Sequence, residues 1–214
     1  MAATETRLLL LGGVLLFEPV NGYQLRRELL SWQVEDWAHI KPGSIYSGLS
    51  TLTRQGHLTR HDLVDAGREV AVYTSTAQGR REFERLFAFA VQSVDLLAPL
   101  PFHTALSLLP LMERQVVINL LHTRLANAEA ATTRQAQAGY DPSRMPPHVG
   151  AMAGLWQRMG DAECAWLREF TARVEQGEFE FRGEPARWQA HADDPGWQLA
   201  ADRRRYLDLL AEQR

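Results

Sequence analysis

The chain has 214 residues, of which 45% are hydrophobic and 23% charged, with a formal net charge of −3. These totals exclude a largely disordered chain and fit a globular protein with one large domain or two small ones. They do not exclude nucleic-acid binding, because a DNA reader needs only a local basic patch. The single cysteine, Cys164, excludes a disulfide within the chain and favours a reducing, cytoplasmic setting.

An apolar helix is predicted at the start of the chain, from about Glu5 to Phe17. The leucine-rich run inside it is too short to cross a membrane, and no small-residue cleavage pattern follows it. We therefore interpret it as a buried helix, in which Gly12 and Gly13 allow a neighbouring element to approach closely. No membrane association is expected.

Two further helices are predicted with the spacing of a helix-turn-helix. Asn21 is a favourable N-cap for the first, whose leucines form an inner face while Glu28 and its arginine neighbours form an outer one. A connection long enough for a short helical turn follows. Pro42 then begins the second helix, and Gly56 ends it.

The helix that begins at Pro42 has an unusual outer face. Its apolar residues Ile45, Leu49 and Leu52 lie on one side. The opposite side carries small hydroxyl residues and hydrogen-bond donors, and no Asp or Glu occurs between Pro42 and Gly56. Because a solvated helix of this length usually carries acidic residues, this absence indicates a face that meets DNA.

A β-hairpin and another helix are predicted next. Leu58–Val64 and Glu69–Thr74 are rich in β-branched residues and flank a turn that contains Gly67. Thr76 caps a helix that is predicted to run to about Leu97. This order is typical of a winged helix-turn-helix, with the hairpin as the wing, and predicts a DNA-binding domain over residues 1–98.

The candidate DNA contacts follow from this geometry. Side chains that enter the major groove must be short or able to donate hydrogen bonds to base edges. Those predicted to face it are Ser44, Ser47, Thr51 and Arg54. Those predicted to contact phosphates or the minor groove are Lys41, Tyr46 and Arg68, the last at the tip of the wing.

Residues 99–214 are predicted to form a second, helical domain that begins after Pro99 and Pro101. The predicted helices are a short one at 106–109, long ones at 112–138 and 149–175, and a last one at 197–210, with a loop at 139–147. The apolar stripe of the long helices is richer than a surface helix needs, which favours a dimer interface. An intrachain helical core is the alternative.

The motifs also resemble a known family. The segments that carry the resemblance are GYQL at 22–25, PGSIYSGLSTL at 42–52, GHL at 56–58, and Tyr73 with TAQG at 76–79. Over residues 8–95 they are similar to the PadR-type transcriptional regulators. Ser75 and the Gln55-Gly56 pair depart from the family pattern and leave operator preference open.

The resemblance implies a homodimeric DNA-binding regulator, most simply a ligand-responsive repressor on a palindromic operator. It implies a DNA-backbone contact for Tyr46 and a helical C-terminal dimerisation region. It also implies a flat aromatic small-molecule effector at the dimer axis in some members, for which Trp156 and Trp166 are the candidates here. Core or interface packing is the alternative role for both tryptophans.

No enzyme activity, cofactor or metal site is predicted. No two histidines four residues apart lie on a predicted helix, and neither a phosphate-binding loop nor a nucleophile elbow is present. The turn from His191 to Pro195 has too few ligands for a metal ion. Two alternatives remain: a winged-helix module that binds protein, which would expose apolar surface at the outer face, and a helical protein that binds small molecules without specific DNA binding.

Overall fold

The computed structural model describes residues 4–137, 146–185, 191, 194 and 196–213. It is mainly helical with one small antiparallel sheet, as the sequence predicts. In chain order the elements are α1 (Thr4–Phe17), β1 (Val20–Asn21), α2 (Gly22–Ser31), α3 (Val34–Trp37), α4 (Pro42–Arg54), β2 (Leu58–Asp65), β3 (Arg68–Ser75), α5 (Ala77–Gln92), α6 (Leu100–Leu106), a 3-10 turn (Leu109–Leu111), α7 (Arg114–Gln137), α8 (Pro147–Glu175) and α9 (Gly196–Glu212).

Helix α1 lies at the centre of the core, in contact with α2, α4, α5 and α6. Its four consecutive leucines, 8–11, are all buried. A methyl group on Gly12 would come within 2.6 Å of Leu108, and one on Gly13 within 2.8 Å of Leu25. The two glycines therefore provide the close approach that the sequence predicts.

The N-terminus of α2 is fixed by a capping box. The Asn21 side chain accepts a hydrogen bond from the Gln24 backbone at 2.8 Å, and the Gln24 side chain accepts one from the Asn21 backbone at 3.2 Å. The prediction that Glu28 lies on the solvated outer side is wrong, because it is 8% exposed. It borders a groove that α9 closes on the other side, near Leu199.

The wing is a regular hairpin. Strands β2 and β3 pair from Leu58 with Ser75 to Asp65 with Arg68. The two turn residues, Ala66 and Gly67, have φ values of 49° and 79°, as in the tight turn that suits the twist of a hairpin. Strand β1 adds a third strand beside β3, giving the order β1-β3-β2, which sequence analysis did not predict.

Two predicted boundaries after the wing are wrong. Helix α5 ends at Gln92 instead of Leu97, and Ser93 is extended. The early end of α5 has a tertiary cause, since the Arg124 guanidinium donates hydrogen bonds to the carbonyls of Val91 and Ser93. The short helix predicted at 106–109 instead begins at Leu100, because Pro99 and Pro101 start a helix well.

Helices α7 and α8 pack antiparallel, and α9 returns to the wing. Tyr206 of α9 forms a second apolar cluster with Leu63 and Val72. The predicted loop at 139–147 and the turn at 191–195 lie largely outside the described residues. Helix α6 packs against α1 and α5, and the division into residues 1–98 and 99–214 stays a prediction.

Candidate nucleic-acid interface

Helix α4 is held by its apolar side. Ile45 and Leu49 are fully buried, and Leu52 is 2% exposed. Gly48 lies against α1 so closely that a methyl group there would be 2.2 Å from the Leu10 side chain. Because this side is fixed against α1, the opposite side of α4 must point away from the core.

We call that opposite side the outward face of α4, and it consists of Ser44, Tyr46, Ser47, Ser50, Thr51 and Arg54. All but Thr51 are exposed, and Thr51 is half-buried. Lys41 is exposed immediately before the helix. The internal bonds are few and weak: the Ser47 hydroxyl donates to the Ser44 carbonyl at 3.1 Å, and Arg54 reaches the Thr51 hydroxyl only at 3.5 Å. The face thus offers donors for a partner and carries no carboxylate.

Tyr46 of this face packs on α2, which carries a second exposed tyrosine. The Tyr46 ring rests on Gly22, where an added methyl group would be 3.1 Å from the ring. The next residue, Tyr23 at the start of α2, is 62% exposed, compared with 46% for Tyr46. Sequence reasoning did not select Tyr23, although its place beside a capping residue at the start of a helix-turn-helix could have indicated it.

The wing carries two exposed arginines, Arg60 and Arg68, which differ in their contacts. Arg68 is exposed at the first position of β3, next to the turn. Arg60 is also exposed but donates to the Asp62 carboxylate at 2.9 Å, and this hydrogen bond raises the pKa of Arg60. A basic surface for DNA therefore depends on Lys41, Arg54 and Arg68, because Asp62 partly neutralises Arg60.

The part of the chain that includes this surface matches a known family. Residues 11–85 match the family described as the transcriptional regulator PadR-like family. We call residues 11–85 the PadR-like domain, after the family that they match. The match runs from the second half of α1 to the middle of α5 and so includes the outward face of α4 and the whole wing. No curated protein sequence matches the chain.

Three solved structures are similar to the chain. Bacillus subtilis PadR in complex with operator DNA is 19% identical, with 78% of this chain and 98% of that chain covered and a TM-score of 0.33. A PadR-like transcriptional regulator from Bacillus cereus is 14% identical, with 80% and 99% covered and a TM-score of 0.30. Bacillus subtilis PadR in complex with p-coumaric acid is 16% identical, with 79% and 97% covered and a TM-score of 0.29.

The two candidate effector-binding tryptophans lie on α8, outside the PadR-like domain, in different surroundings. Trp166 is 40% exposed, stacks on Phe170 at 4.6 Å and meets Phe102 edge-on at 6.0 Å. It lines a cavity of about 430 Å³ between α6, α7 and α8. Trp156 is half-buried and does not line this cavity.

The same cavity is bordered by a buried ion pair. The Arg124 side chain is 1% exposed and donates to Glu163 at 2.9 and 2.5 Å. Its guanidinium also lies 3.7 Å from the centre of the Phe102 ring. Burial lowers the pKa of Arg124, and the Glu163 carboxylate opposes that shift. Glu163 is the partner that makes this buried cation tolerable.

Other kinds of site find little support in the described part of the chain. Over residues 4–137, 146–185, 191, 194 and 196–213, no group of three or more His, Cys, Asp or Glu residues could hold a metal ion. Within the same ranges no helix combines the length and apolarity needed to cross a membrane. The lone Cys164 is buried, and its burial raises the pKa of the thiol.

Proposed function

We propose that this protein is a transcriptional regulator that binds duplex DNA through the outward face of α4. The observation that carries the proposal is the carboxylate-free surface of α4, held outward by Gly48 and its apolar neighbours within a PadR-like domain. In this proposal Ser44, Ser47, Thr51 and Arg54 meet base edges in the major groove, since each is short or a donor. Lys41, Tyr46 and Arg68 contact phosphates or the minor groove.

The nature of the exposed side chains favours DNA over a protein partner. A protein-binding winged helix would expose apolar surface here, whereas among the large hydrophobic residues of α4 only Tyr46 is exposed. Tyr46 carries a hydroxyl that can donate to a phosphate. Val64, 62% exposed on β2, is the main apolar residue open to solvent on the wing.

We further propose that the protein works as a homodimer joined through α8. Four large apolar side chains lie exposed along one side of this 29-residue helix. They are Met152, Leu155, Met159 and Trp166, with exposures of 43, 56, 40 and 40%. Their spacing of 3, 4 and 7 residues places them in one stripe, which we call the α8 stripe. A contiguous exposed apolar stripe of this kind is typical of an interface between subunits.

A role as an effector-controlled repressor in the cytoplasm completes the proposal. The cavity beside Trp166 also includes Met159, so two of its lining residues belong to the α8 stripe. A flat aromatic ligand in that cavity would contact residues of the dimer interface and could change the angle between the two DNA-binding surfaces. Trp166 is the better supported of the two tryptophans, since Trp156 does not reach the cavity.

The direct test is selection of bound sequences from a pool of random DNA duplexes by the purified full-length chain. We expect enrichment of a sequence with two related half-sites, because a dimer presents two copies of α4. Recovery of a pool with no enriched sequence would overturn sequence-specific binding. A single half-site without symmetry would instead contradict the dimer.

A further inference from the structure

Helix α9 packs on the PadR-like domain although it lies more than a hundred residues further along the chain. Its buried residues, Leu199, Asp202 and Tyr206, recur at helical spacing and form one stripe. Tyr206 is 2% exposed and packs with Leu63 and Val72, which are 2% and 0% exposed. One face of the wing is therefore covered by α9.

Two hydrogen bonds join this stripe to the start of the helix-turn-helix. The Gln24 side-chain amide donates to the Asp202 carboxylate at 2.6 Å, and the Asn21 side-chain amide donates to the Tyr206 hydroxyl at 2.8 Å. Asn21 and Gln24 already use their side-chain oxygens for the capping box of α2. Their NH₂ groups are the donors that remain, and α9 supplies the acceptors for both.

A third contact joins α9 to the tip of the wing. Arg205 reaches the Asp65 carboxylate at 2.7 Å and the Asp202 carboxylate at 3.0 Å. Asp65 is the last residue of β2 and pairs with Arg68 across the turn. The contacts made by Asp202, Arg205 and Tyr206, which we call the α9 clasp, thus connect the start of α2 with the end of the hairpin.

The chemistry of the α9 clasp indicates a positioning role. An apolar stripe alone packs with little regard to register, whereas a buried carboxylate is tolerated only where donors meet it. Asp202 is 8% exposed and meets three donors, from Gln24, Gln198 and Arg205. The helix is therefore held in one register against α2 and the wing.

The two elements that the clasp joins are those that carry Tyr23 and Arg68 to the proposed DNA surface. We propose that the α9 clasp sets the wing relative to α2 for DNA binding, with Asp202 and Tyr206 as positioning residues. This inference rests on the proposed function. It predicts that DNA affinity depends on Asp202 and Tyr206, although neither residue lies in the proposed DNA-contacting elements.

The test compares the double variant Asp202→Ala/Tyr206→Phe with Asp208→Ala, which alters an exposed carboxylate on the same helix. Equilibrium titrations use the duplex selected by the wild-type chain and a shuffled duplex of equal composition, at a temperature where every variant is folded. We expect the double variant to bind the selected duplex at least fivefold more weakly, since each lost hydrogen bond is worth about fivefold in equilibrium. Binding of the shuffled duplex and the behaviour of Asp208→Ala should match wild type.

Two further measurements separate positioning from simple stability. Asp202→Asn keeps an oxygen that accepts from Gln24, so it should bind DNA more tightly than Asp202→Ala. In hydrogen exchange, the selected duplex should slow exchange of the α9 amides in the wild-type chain, because coupling between two sites is reciprocal. If the double variant does not fold, Tyr206→Phe alone replaces it, with about a fivefold loss expected.

The outcomes distinguish the two proposals. If the wild-type chain selects no sequence, the proposed function fails and the clasp fails with it. If the wild type selects a duplex that the variants bind equally well, and α9 exchange is unchanged by DNA, the clasp is wrong while DNA binding stands.

Discussion

Replacing Arg124 with methionine is the sharpest test of how the winged part is joined to the C-terminal helices. Its guanidinium meets Glu163 of α8 and the carbonyls of Val91 and Ser93, the latter two at 3.0 and 2.6 Å. Methionine reproduces the arginine side chain only as far as the position of Nε and has no charge. The substitution therefore removes the guanidinium and leaves the Glu163 carboxylate without its cation and both carbonyls without this donor.

The expected loss follows from burial. Removing one partner of a buried ion pair costs about 3–5 kcal/mol, because the other charge is left uncompensated. With Glu163 only 18% exposed, we expect Arg124→Met to lower the free energy of unfolding by about 4 kcal/mol. Adding Glu163→Met removes the stranded carboxylate, so the double variant should recover about 2 kcal/mol relative to the sum of the single losses.

Urea unfolding followed by tryptophan fluorescence measures these changes, and α7 and α8 supply a matched control. Arg168 and Glu129 also join the two helices at 2.5 Å, but their side chains are 56% and 47% exposed. Arg168→Met should therefore cost no more than about 1 kcal/mol. Equal losses for Arg124→Met and Arg168→Met would refute the claim that burial makes the Arg124 pair critical.

Two further predictions concern packing and assembly. Gly79→Ala should lower the free energy of unfolding by about 4 kcal/mol or more, because its methyl group would lie 2.0 Å from the His57 carbonyl oxygen. Gly43→Ala, where nothing lies within 4 Å, should stabilise the helix by about 0.5–1 kcal/mol, and thermal unfolding of both variants checks the contrast. Met159→Glu places a charge in the α8 stripe and should therefore give a monomer in sedimentation. A dimer would show that the interface lies elsewhere.

Local signals in the sequence were enough for the parts that form the candidate interface. Pro42 and Gly56 mark the ends of α4, and the spacing of its apolar residues decides which side is buried. Gly67 in a two-residue turn and the cap at Thr76 similarly determine the wing and the start of α5. These features depend on contacts within a few residues, so a single sequence contains them.

Features that depend on distant partners were not predictable. Helix α5 stops early because Arg124, more than thirty residues away, donates hydrogen bonds to the carbonyls of Val91 and Ser93. Glu28 is buried because α9 returns to α2, and the sequence around Glu28 does not predict this distant packing. The amides of Asn21 and Gln24 suggest only a local cap, yet each has a second partner on α9. Such pairings come from tertiary packing, which overrides local preference.

A titration of DNA binding decides whether the outward face of α4 reads DNA. The duplex selected by the wild-type chain is titrated with Arg54→Ala and with Arg134→Ala, which removes an exposed arginine from α7. Arg54→Ala should weaken binding by about 1–3 kcal/mol, the scale of one base contact, and Arg134→Ala should leave it unchanged. Equal affinity of both variants and wild type would remove Arg54 from the surface and contradict the account.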